Sequence, residues 1–110
     1  MNDERRLSIR EDIANAEHQM NRCLELSKQA ANSYTVEYDR RRDVWMQKKR
    51  ELDSAGDDLR EELQRAVDDE FSEMQRLQAH KDQSSEDYKL EYDKWRRIWE
   101  AKKRELKELD

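Results

Sequence analysis

The sequence has no proline, one glycine and one cysteine in 110 residues. Sheets and loop-rich folds need turn residues at intervals of roughly eight to twelve positions. Their scarcity excludes those classes and favours long helices. Cys23 alone cannot form an intrachain disulfide bond or a multi-thiolate metal site. We therefore expect a helical protein that works in the cytoplasm.

Long apolar runs and a charge excess of one sign are also missing. No run approaches the roughly 18–20 residues of a membrane span, and the first residues lack the apolar core of a signal peptide. The net charge is −5, with acids and bases interspersed throughout the chain. Such a chain as a whole is not drawn to phosphate backbones or anionic lipid, so we expect neither nucleic acid nor membrane as the main partner.

Apolar residues make up only 34% of the chain and charged residues 46%. Globular domains contain roughly 45–50% and about 25% of these classes, so a thick core is excluded. A disordered polyampholyte and a helical assembly with a narrow apolar stripe both tolerate this composition. Three tryptophans, four tyrosines and one phenylalanine argue against disorder. The expected class is all-α.

A tandem repeat organises the chain. Shifting the sequence by 54 residues superposes residues 34–52 on residues 88–106, and eleven of these nineteen positions are identical. The upstream halves match more loosely. We therefore interpret the chain as two helical repeats, residues 1–54 and 55–110, that together form one helical domain.

Apolar positions in each repeat recur at steps of three and four, which is typical of a coiled-coil seam. The segment around Gly56, followed by Asp57 and Asp58, is the best signal for a chain reversal. Weaker signals lie near Ser33 and Ser85. Turns there would give a compact monomeric four-helix bundle, and a helix running straight through Gly56 is a third possibility. The preferred interpretation is two long helices.

The helices are predicted to pair antiparallel, because the first half of each repeat is aliphatic and the second half aromatic. Antiparallel pairing sets large side chains against small ones. It also brings residues 48–50 towards the acids at 57–62, and residues 102–104 towards those at 3–12. The full prediction is an antiparallel coiled-coil hairpin that dimerises into a four-helix bundle. A second partner is expected because some apolar residues fall off the seam, namely Val36, Val44, Met46, Leu90 and Ile98.

The inventory of reactive groups favours no catalytic chemistry. His18 and His80 lack a nucleophile or an orienting acid at a suitable spacing. The Glu-x-x-His pattern of di-iron bundles and a glycine-rich phosphate loop are missing as well. Cys23 lies on the seam and is expected to be a small buried hydrophobic residue. We expect a non-enzymatic protein without catalytic residues, metal or cofactor.

The second half of each repeat carries the block that we expect to bind partners. Its rings can pack against a protein, and its cations can alternatively bind nucleic acid or an anionic surface. The leading hypothesis is a structural or adaptor protein that associates with itself or with another protein. The packing candidates are Tyr34, Tyr38, Trp45, Leu52, Tyr88, Tyr92, Trp95, Trp99 and Leu106. The basic candidates are Arg41, Arg42, Lys48, Lys49, Arg50, Arg96, Arg97, Lys102, Lys103 and Arg104.

Overall fold

A computed structural model describes residues 2–110. Helix α1 spans Asn2–Ser54 and helix α2 spans Asp57–Leu109, each with 53 residues. These described residues contain no strand, and the predicted all-α helical hairpin is confirmed. Both helices continue through the segments near Ser33 and Ser85, so the alternative with extra turns is wrong. Serine and asparagine lower helix stability by only a few tenths of a kcal/mol each relative to alanine, which long helices tolerate.

The reversal is made by Ala55 and Gly56, at the position predicted from the sequence. The backbone N–H of Ala55 donates to the Leu52 carbonyl at 3.2 Å, and the N–H of Leu59 donates to the Gly56 carbonyl at 3.3 Å. Asp57 and Asp58 occupy the first turn of α2. Their carboxylates suit the positive end of the helix dipole, which favours a new helix start there.

The helices pack into two compact units. Unit 1 joins Met1–Gln29 to Ser84–Asp110, and unit 2 is Ala30–Gln83. Each unit therefore combines the aliphatic first half of one repeat with the aromatic second half of the other. This is the volume matching that the antiparallel prediction required.

In unit 1 the buried residues of α1 are spaced seven apart, at Ile9, Ala16 and Cys23. The Arg5 guanidinium lies 3.2 Å from the Glu105 carboxylate, and the Lys102 ammonium lies 3.2 Å from Asp12. The α2 partner number falls as the α1 number rises. The two helix segments of unit 1 are therefore antiparallel.

Unit 2 follows the same plan with a different set of residues. Val67 and Met74, also seven apart, are buried on α2. Lys48 lies 3.2 Å from Glu70, and the Lys81 ammonium donates to the Thr35 hydroxyl at 3.2 Å. The pairing is again antiparallel. The aromatic halves in both units are half-buried, so the most closed packing lies along the aliphatic halves.

Residues at equivalent positions of α1 and α2 are buried or half-buried in both helices. On each helix one series of covered residues runs at intervals of seven, with a single interval of eight just before the second tyrosine of the block. Residues 54 positions apart in these two series are thus covered alike. The α1 series is Ile9, Ala16, Cys23, Ala30, Tyr38, Trp45 and Leu52; the α2 series is Leu63, Glu70, Leu77, Ser84, Tyr92, Trp99 and Leu106.

Candidate interaction surface

The predicted packing residues share one environment: all nine are half-buried. Four tyrosines form part of two grooves that are equivalent by the 54-residue repeat. Tyr34 and Tyr38 line a groove of about 230 Å³ in unit 2. Tyr88 and Tyr92 line one of about 190 Å³ in unit 1. These open grooves contain mixed polar and apolar groups.

Carboxylates neutralise much of the predicted basic surface. Arg41 lies 3.4 Å from Glu37 and 3.6 Å from Glu70. The arginine side chains hold the pKa of Glu37 below its ordinary value, chiefly through a hydrogen bond from Arg40. Three further candidates pair with acids: Arg42 with Asp39, Arg96 with Glu100, and Lys102 with Asp12.

The ammonium groups of two other candidates lie over indole rings. Lys49 is 4.7 Å from the centre of the Trp45 ring, and Lys103 is 4.2 Å from the centre of the Trp99 ring. Arg50 donates to Gln47 at 3.5 Å, while Arg97 and Arg104 are exposed. With this much pairing, the two basic blocks do not form continuous cationic stripes of the kind that tracks a phosphate backbone.

One predicted ion pair has a different partner from the one expected. Lys48 pairs with Glu70 instead of with the acids at 57–62. Of the ion pairs expected between residues 102–104 and the acids at 3–12, the structure contains the one between Lys102 and Asp12. Glu70 attracts Lys48 because its side chain is only 15% exposed and also faces Arg41, so a carboxylate there needs compensating cations.

The two repeat-related tryptophans, Trp45 and Trp99, differ in their partners. In unit 1 the indole N–H of Trp99 donates to the Glu17 carboxylate at 2.9 Å. In unit 2 the position of Glu17 is taken by Phe71, which lies 54 residues further along the chain. The Phe71 ring packs against Trp45, with ring centres 6.1 Å apart and planes tilted by 38°. Within residues 2–110, no acceptor meets the buried N–H of Trp45.

Unit 2 therefore presents an apolar surface where unit 1 presents a polar one. Phe71 is 45% exposed and Met46 is 41% exposed. Met46 and Trp45 line one groove together with Lys49, Arg50 and Asp53. In unit 1 the equivalent of Met46 is Glu100, which pairs with Arg96. We call Trp45, Met46 and Phe71 the unit 2 face.

Most of the other apolar residues predicted to lie off the seam are also exposed. Val36, Val44 and Leu90 are open to solvent, whereas Ile98 is half-buried. Val36 and Leu90 are repeat equivalents, so each unit carries one of them. They do not distinguish the units, in contrast to the unit 2 face.

The remaining side chains of the described residues do not assemble into a metal site. Residues 2–110 contain no group of three or more His, Cys, Asp or Glu side chains placed to hold a metal ion. Neither α1 nor α2 has a stretch that is both long and apolar enough to cross a membrane. Cys23 is buried, and burial raises the pKa of its thiol. A thiol with a raised pKa is a weaker nucleophile near neutral pH.

Phe71 is not among the predicted packing residues, because Glu70 and Phe71 are adjacent in the sequence and periodicity alone does not decide which of the two faces the other helix. Glu70 faces inward and Phe71 lies outside it beside Trp45. The signal that could have found the site is the change from a charged residue, Glu17, to an apolar one, Phe71, at equivalent positions of the two aligned segments.

Comparisons with protein-family models, curated proteins and solved structures found no match to this chain.

Proposed function

We propose that the chain is a non-enzymatic structural protein that associates with a second copy of itself through the unit 2 face. The observation that carries the proposal is the exposed pair of Phe71 and Met46 beside Trp45. Aromatic side chains and methionine are enriched at protein interfaces, and tryptophan is prominent among residues that dominate binding energy. At the same positions unit 1 carries glutamates, which makes it an internal reference for a non-adhesive surface.

The thin interior supports association. Among residues 2–110, five apolar residues are buried, while nine large apolar residues are exposed. Covering part of that surface in a complex gains hydrophobic free energy of about 25 cal/mol per Å² of apolar area. A complex therefore offers the chain a stabilisation that its own interior does not supply.

A second copy of the chain is the partner that fits this face, because the face carries both positive and negative side chains and can therefore pair with itself. Lys49 and Arg50 border the same groove as Asp53. Across a two-fold axis, a patch with both signs of charge can oppose its own copy without like-charge repulsion, and two-fold dimers are the commonest closed assembly. The homodimer is the proposed working form, and it can present its remaining exposed helix surfaces to further proteins.

The decisive variant is Phe71→Glu, which gives unit 2 the residue that unit 1 already has. The new carboxylate can accept the N–H of Trp45 as Glu17 accepts that of Trp99, so the fold should survive. Two like charges would then oppose each other across the interface. Replacing such an anchor typically costs about 2 kcal/mol or more, so we expect dimerisation to weaken roughly 30-fold or more. Light scattering over a concentration series measures the change.

The matched control is Leu90→Glu, which places the same charge on an exposed apolar position of unit 1. It should leave the dimerisation constant unchanged, and circular dichroism should show the same helix content for both variants. A wild-type protein that stays monomeric throughout the series contradicts the proposal. So does a Phe71→Glu variant that dimerises as tightly as the wild type.

A further inference from the structure

The backbone conformation of the short connection between α1 and α2 does not require a glycine. Only Ala55 and Gly56 separate Ser54 from Asp57. Gly56 is not in the positive-φ region where glycine is favoured. A Cβ atom placed on it would meet none of the described atoms within 4 Å. The conformation of the turn is therefore open to other residues, including those that prefer a helix.

The apolar stripe continues across this connection in the sequence. Leu52, Ala55, Leu59 and Leu63 follow at steps of three, four and four, which keeps them near one face of an uninterrupted helix. In the hairpin Leu59 is 57% exposed, whereas the other three are half-buried. A straight helix would return Leu59 to the stripe that its neighbours occupy.

Few interactions hold the reversal in place. The last turn of α1 has no basic residue to complement the negative end of the helix dipole. The hydroxyl of Ser54 bonds back to the Arg50 carbonyl at 3.1 Å, inside the helix. Two backbone hydrogen bonds, of 3.2 Å and 3.3 Å, flank the connection. Extending the helix through the connection would sacrifice few of the interactions that define the turn.

We propose that Ala55 and Gly56 form an exchange hinge, at which α1 and α2 join into one continuous helix that pairs with a second copy of the chain. Contacts between the helices, such as Lys48 with Glu70 and Trp99 with Glu17, would reform between chains. Because exchange preserves these contacts, the hinge itself decides the balance between hairpin and exchanged dimer. The inference rests on the proposed function only for the identity of the partner, since it uses a different part of the surface.

Gly56→Ala tests the hinge, and the Phe71→Glu background removes the unit 2 face from the measurement. Alanine in a helix interior is favoured over glycine by about fivefold, so two hinges should raise the dimerisation constant about 25-fold. Light scattering of Phe71→Glu with and without Gly56→Ala gives the comparison. Equal constants for the two proteins overturn the hinge and leave the proposed face untouched. Loss of dimer in Phe71→Glu alone concerns only the face.

A cross-link separates exchange from any other dimer. Arg5 and Glu105 are in contact in unit 1, so Arg5→Cys and Glu105→Cys in a Cys23→Ser background can be joined by a short bis-maleimide. With Gly56→Ala we expect a covalent dimer on a denaturing gel, whereas the hairpin gives a cross-linked monomer. Gly56→Pro is the control, because proline disfavours the continuous helix and should yield only monomer. Monomer alone from the alanine variant overturns the proposal.

Discussion

Units 1 and 2 are built from the same repeat, yet two adjacent positions have opposite polarity in them. In unit 1 Ala16 is fully buried and Glu17 is exposed. In unit 2 Glu70 is the covered residue and Phe71 is the exposed one. Because neighbouring residues on a helix are about 100° apart, this exchange moves a charge inward and a ring outward. Corresponding segments of the chain can therefore keep the same helical packing while one of them exposes a ring that the other lacks.

The largest expected effect on stability comes from giving unit 1 the inward-facing glutamate that unit 2 has at the equivalent position. Ala16→Glu places a carboxylate where the native side chain has no exposed surface. Burying that charge and the added volume should lower the free energy of unfolding by about 3 kcal/mol or more. Denaturant unfolding measures the loss. A loss below about 1 kcal/mol would mean that unit 1 opens readily enough to hydrate the new carboxylate.

The reciprocal variant, Glu70→Ala, is the matched comparison. It leaves Arg41 and Lys48 without their shared carboxylate, but each of these side chains is about one-third exposed and can be hydrated. We expect a smaller loss of about 1–2 kcal/mol. The difference between the two variants measures how much more closed the interior of unit 1 is at this position.

An intermediate effect should separate the two tryptophans. Trp99→Phe removes an indole N–H that donates to Glu17, and it should lower the free energy of unfolding by about 1 kcal/mol. Trp45→Phe also shrinks a half-buried ring, but the N–H that it removes has no acceptor among residues 2–110, so it should cost less than Trp99→Phe. Thermal unfolding of both variants provides the ranking. Equal losses would show that the hydrogen bond in unit 1 does not matter.

The smallest effect concerns alkaline pH and unit 1. A hydrogen bond to Asp12, followed by the charge of Glu105, raises the pKa of Lys102. Since the folded pKa is the higher one, the contribution is complete below about pH 10.4 and disappears as pH rises through the folded pKa. Lys102→Arg keeps its charge there. Between about pH 9 and 11.5, the melting temperature of the wild type should fall slightly more than that of Lys102→Arg. Parallel curves would contradict this.

The two long helices, the place where the chain reverses and the antiparallel pairing could be predicted from the sequence, because local or periodic patterns determine them. Gly56 and the two aspartates after it marked the place of the reversal, although Gly56 does not adopt the positive φ that makes glycine favourable at a helix end. Antiparallel pairing followed from the aliphatic and aromatic halves. The choice between Glu70 and Phe71 could not be predicted in this way. Both border the stripe, and the inward position of Glu70 depends on Arg41 and Lys48 from the other helix. Periodicity locates a stripe, whereas contacts across it decide which residues form its edges.

The sequence separation of the contacts imposes an order on folding. The bond between Lys48 and Glu70 in unit 2 joins residues 22 apart, whereas the bonds of Trp99 and Arg5 in unit 1 join residues 82 and 100 apart. Closing a longer loop costs more chain entropy, so contacts near the turn are gained first and then shorten the loop for the others. Unit 1 is therefore expected to form after unit 2. Damage near the turn should delay both units, whereas damage to unit 1 should affect mainly the last step of folding.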